Sequence, residues 1–122
     1  IRHAGVTPRV EFGERAGGVS PRVLGLRRAF GQGGGGSVGT PEDIEAALGE
    51  KFLFIAPFSG VGAVARGPVG VLRRLPPTRA LLEAAMGEIH ALARARGVAL
   101  RDDAVPRIVQ IGAGRRLAAE RP

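Results

Sequence analysis

A single lysine, Lys51, stands among the 18 basic residues of this chain, and its neighbours at helical spacing are apolar. Ile44, Leu48, Lys51, Phe52 and Ile55 recur at the three- and four-residue steps that define one stripe of a helix. An ammonium held against such a stripe is expected to be partly desolvated, which lowers the cost of giving up its proton. That is the environment of a general acid working near neutral pH. The same position also suits a lysine whose stem covers core surface while its head reaches water. Spacing alone does not separate the two.

Other chemistry is sparse. His3 and His90 are isolated, with no carboxylate or second histidine at ligand spacing, and no zinc pattern or Ser-His-Asp arrangement is visible. Asp102-Asp103 fits a helix cap better than a metal site, so no metal is expected. Two stretches match a dinucleotide-binding glycine pattern on paper. Gly31-x-Gly33-x-x-Gly36 lies in a glycine run that follows a helix rather than a strand. Gly60-x-Gly62-x-x-Ala65 follows the apolar run Phe52 to Phe58, but Pro57 would sit where a central strand needs a ladder donor. A working fingerprint also needs an acid about 20 residues on, at the end of a second strand. The first acid available, Glu83, falls inside a strongly helical segment. No cofactor is therefore expected on this chain alone.

The elements that must carry Lys51 follow from periodicity and punctuation. Residues 1–14 read as a β-hairpin, with Val10 and Phe12 alternating against Arg9 and Glu11 and turn chemistry in Ala4 to Pro8. Ser20-Pro21 caps and opens a helix whose apolar positions are Val23, Leu26 and Phe30. Residues 33–39 are Gly- and Ser-rich and read as a linker, engineered or native. Thr40-Pro41-Glu42-Asp43 then starts the lysine helix, which Pro57 is expected to kink or end. Ser59 to Gly70 suits a second helical piece. Pro76-Pro77-Thr78 opens a helix with Leu82, Met86, Ile89, Leu92 and Ala93 inward, Glu83, Gly87, His90 and Arg94 opposite, and Gly97 beyond its end. A short last helix carries Val105, Ile108 and Val109, and residues 112–122 read as a polar tail.

These elements make a mainly α fold: a helical bundle over residues 40–122, preceded by a hairpin and helix over 1–32 and a linker over 33–39. Composition sets its bounds. The chain has 122 residues, room for one modest core, and a core built without Trp, Tyr or Cys. The lack of cysteine rules out a disulfide framework and makes a reducing, cytoplasmic location the default. No apolar run approaches the ~18 residues of a membrane span, and no signal-type start is present. The start at Ile1 rather than Met reads as a fragment or trimmed chain. The formal charge of +7 invites a nucleic-acid reading. It is discounted, because the arginines are scattered and no aromatic residues interleave them to stack bases.

Three stretches carry a family resemblance that covers nearly the whole chain. Ile1-Arg2-His3-Ala4-Gly5 with Val10-Glu11-Phe12-Gly13-Glu14 resembles the hairpin closing the nucleotide-binding domain of ketopantoate reductases. Glu42 to Phe52, including Glu50-Lys51-Phe52, is similar to that family's helix bearing the catalytic lysine, and Ala93-Arg94-Ala95-Arg96-Gly97-Val98 to a later helix end. The resemblance implies the substrate and dimerisation half of an NADPH-dependent 2-oxo acid reductase of the pantothenate biosynthesis type (2-dehydropantoate 2-reductase), functioning as a homodimer. It implies Lys51 as the general acid that steadies the forming alkoxide. It places Ser59 in the substrate site, where an asparagine is usual, and leaves apolar Ile55 at a second asparagine position. Gly49 stands where a Trp is usual, and the substrate serines expected near Ile111 and Gly112 are missing. With the family's nucleotide-binding domain and its catalytic glutamate both absent, the chain is expected to be inactive by itself. The competing reading is a helical dimerisation module without catalysis.

Overall fold

The computed structural model describes residues 7–34 and 36–114, which form two short strands and five helices. They belong to two compact units, residues 1–47 and 48–122, so the division falls inside the lysine helix.

In the first unit, β1 (Arg9–Glu11) pairs with β2 (Ser37–Gly39) in parallel, Val10 opposite Val38, and α1 (Pro21–Gln32) is the crossover between them. Parallel neighbours need such a crossover. The first arm of the expected hairpin lies outside the described residues, and the described strand finds its partner beyond α1. Within the run 33–39 read as a linker, residues 37–39 instead form β2. Gly36 explains how a glycine-rich run serves a strand: a Cβ there would come within 2.4 Å of the Pro8 carbonyl oxygen. Its absence lets the Ser37 N–H donate to that oxygen at 2.8 Å.

Helix α1 starts as its sequence dictates, with the Val23 N–H donating to Ser20 Oγ at 3.3 Å and Pro21 in the first turn. Of its expected apolar stripe only Val23 is buried, while Leu26 and Phe30 are about half exposed. Phe30 leans on Phe12 with ring centroids 5.8 Å apart.

Helix α2 (Ile44–Ala65) begins later than Thr40-Pro41 suggests. Asp43 is the cap, its Oδ1 accepting from the Ala46 N–H at 2.9 Å. Aspartate ranks at least level with threonine as an acceptor there, so the nearer carboxylate takes the role. The expected break at Pro57 does not end the helix. An internal proline costs about 3 kcal/mol. Burial of Leu53, Phe58 and Val61 on either side, at about 1.5–3 kcal/mol each, outweighs it.

In the second unit, α2 continues through Arg66, which is left-handed, and then Gly67 into α3 (Val69–Arg74), then α4 (Pro76–Ala95) and α5 (Ala104–Gly114). Its core is Leu53, Phe58, Val61, Leu72, Leu82, Met86, Leu100 and Ala104, with Ile89, Ala93, Val98, Val105, Ile108 and Val109 packed around it. Thr78 Oγ1 donates to the Leu72 carbonyl at 2.6 Å, satisfying an acceptor that α3 leaves open at its end. Gly97, with φ +77°, ends α4 in a Schellman turn, its N–H on the Arg94 carbonyl and that of Val98 on Ala93. Leu92, expected inward, is 57% exposed. Residues 112–114, read as tail, are helical, and 115–122 lie outside the described residues.

By length and composition α2 is apolar enough to cross a membrane, which corrects the expectation that no run reaches that length. Glu50 and Lys51 interrupt the run in sequence without making it polar overall. Its Leu53, Phe58 and Val61 form part of the second unit's core.

Candidate functional site

Helix α2 is apolar around most of its circumference, so periodicity could not say which side would be buried. The fold buries Leu53, Pro57, Phe58 and Val61. Gly49 allows the close approach that fixes this choice, since a Cβ there would sit 3.1 Å from both Leu100 Cδ2 and Val98 Cγ1. The chain segment bearing Val98 and Leu100 is itself tied down. His90 Nε2 bonds the Arg101 carbonyl at 2.8 Å, Arg94 pairs with Asp102, and Arg101 pairs with Asp103 at 2.8 Å.

The consequence for the lysine stripe is a correction. Of that stripe Ile44 is buried in the first unit, while Leu48 (55% exposed), Lys51, Phe52 (58%) and Ile55 (44%) are exposed, as is Ser59. Lys51 is therefore not desolvated by the second unit, because the opposite side of α2 packs on Val98, Leu100 and the core. Lys51, Ile55 and Ser59 fall on one open face at four-residue steps, spanning about 12 Å of helix rise. An amine on such a face is a solvated point charge. It would act in a low dielectric only if another surface closed over the apolar residues beside it.

Several other carboxylates are held in ion pairs. Glu14 accepts from Ser20 Oγ at 2.5 Å and from Arg22 Nε at 2.7 Å. The Arg22 guanidinium, then the Ser20 hydroxyl, hold its carboxyl well below the usual range, at about 2. Arg101 likewise lowers Asp103, whose carboxylate binds that guanidinium while its main-chain carbonyl takes the Arg107 N–H at 3.1 Å. Asp103 thus stands at the head of α5. Among the described residues no group of three or more His, Asp or Glu could hold a metal. His3 lies outside the described residues.

The described residues form several concave regions. A cavity of about 440 Å³ in the first unit is lined by Pro8, Val10, Ala29, Phe30 and Val38 with the nearby glycines and Ser37. One of about 90 Å³ in the second is lined by Phe58, Arg73, Arg79, Leu82, Glu83, Met86 and Val109. Neither includes Lys51 or Ser59. Arg79 was not singled out in the sequence, although its four-residue spacing from Glu83 announces the 2.8 Å pair they make.

The described residues offer no fitting cradle for a dinucleotide. Gly60-x-Gly62-x-x-Ala65 lies wholly within α2, and Gly31 to Gly36 leads from a helix into a strand, the reverse of the order that aims a helix N-terminus at phosphate.

Residues 43–120 match the family model described as ketopantoate reductase PanE/ApbA C terminal. No curated protein and no solved structure matches the chain.

Proposed function

The chain belongs to the ketopantoate reductase C-terminal family, and from that premise we propose that it supplies the substrate-side wall of an NADPH-dependent 2-oxo acid reductase, with Lys51 as proton donor. The observation that carries this reading is the open face of α2. The chain's only lysine stands there among Leu48, Phe52 and Ile55, with Ser59 two turns along. A second surface laid over that face would expel water and turn the solvated ammonium into a charge acting at short range in a low dielectric. The ammonium would then donate to, and steady, the oxygen that becomes negative when a ketone is reduced. Ser59 would hydrogen-bond the substrate. Ile55 cannot, which narrows polar recognition and favours a 2-oxo acid presenting an apolar side to that turn.

The described residues do not fit the cofactor, so binding of NADPH falls to residues outside them, and the chain alone is inactive on this reading. The test joins this chain to a nucleotide-binding domain of the same family and follows NADPH consumption with ketopantoate. Lys51→Ala is expected to lower kcat by about 10²–10⁴-fold. Its unfolding free energy in urea should stay within about ±0.5 kcal/mol, the range of an exposed substitution. Unchanged turnover in that variant would overturn the assignment.

The same exposed apolar face also favours a second reading, homodimerisation without catalysis. Sedimentation at two concentrations, compared with turnover in the joined protein, separates the two.

A further inference from the structure

We draw no further inference here: the strongest candidate, the apolar cavity of about 440 Å³ between β1, β2 and α1 lined by Val10, Phe30 and Val38, is an unpartnered face and nothing in the structure shows what covers it.

Discussion

Glu14 shows how a single side chain can be specified by its partners rather than by its own type. Ser20 both caps α1 and donates to this carboxylate, and Arg22 grips it from the first turn of the same helix. The carboxyl falls from its ordinary 4.5 to about 2. A depressed acid stabilises the fold above its unfolded value and loses that contribution as pH falls toward the folded one. The stabilisation should therefore be complete above about 4.5 and gone below about 2. Carboxyl-carbon NMR titration should place Glu14 well below its ordinary 4.5, and Arg22→Ala should return it toward that value. Two glycines make a second residue-scale contrast. A Cβ at Gly60 meets nothing within 4 Å, whereas one at Gly49 meets two side chains at 3.1 Å. Gly60→Ala should gain about 0.5–1 kcal/mol from helix propensity. Gly49→Trp, the residue the resemblance leads one to expect there, should lose about 1–3 kcal/mol by overpacking. Urea denaturation reads both.

Among the elements, α2 decides most. Its ends were partly legible, since an acid-rich turn preceded the apolar run, but its buried side was not. Leu53 is fully buried, while its neighbour Phe52 is 58% exposed. Leu53→Ala should cost about 2–5 kcal/mol. Phe52→Ala should cost under ~1 kcal/mol despite removing the larger side chain. Similar losses in both would mean that the helix packs on the other face, with Lys51 inward. Pro57 belongs to the same argument: a residue that breaks isolated helices is retained here because the side chains flanking it are held by α3, α4 and the segment around Leu100. Helix α4 was easier to read. A proline start, a clear stripe through Leu82 and Met86, and a left-handed glycine at the end agree with one another, leaving little choice of register.

For the molecule as a whole, charge and exposed apolar surface pull in opposite directions. A net charge of +7 on 122 residues opposes self-association. The uncovered Leu48, Phe52 and Ile55 favour it. Any dimer should therefore be weak, concentration-dependent and strengthened by salt, which screens the like charges. Sedimentation velocity at low and high ionic strength reads this directly. Dissociation on adding salt would show that ion pairs, not the apolar face, hold the copies together.

The sequence by itself determined the helix-rich class, the caps at Ser20 and around Gly97, the inward stripe of α4 and the family to which residues 43–120 belong. These are local matters of periodicity, capping and glycine conformation, or of residue identity. What only the tertiary structure decided is where non-local contacts choose among equivalent local options. Ser37 to Gly39, at the end of a glycine run, became a strand because the Pro8 carbonyl was there to meet the Ser37 N–H. An all-round apolar helix turned Leu53 inward and left Lys51 outside because Val98 and Leu100 press on Gly49. No window of sequence around Lys51 contains those residues, so the side that faces water could not be read from it.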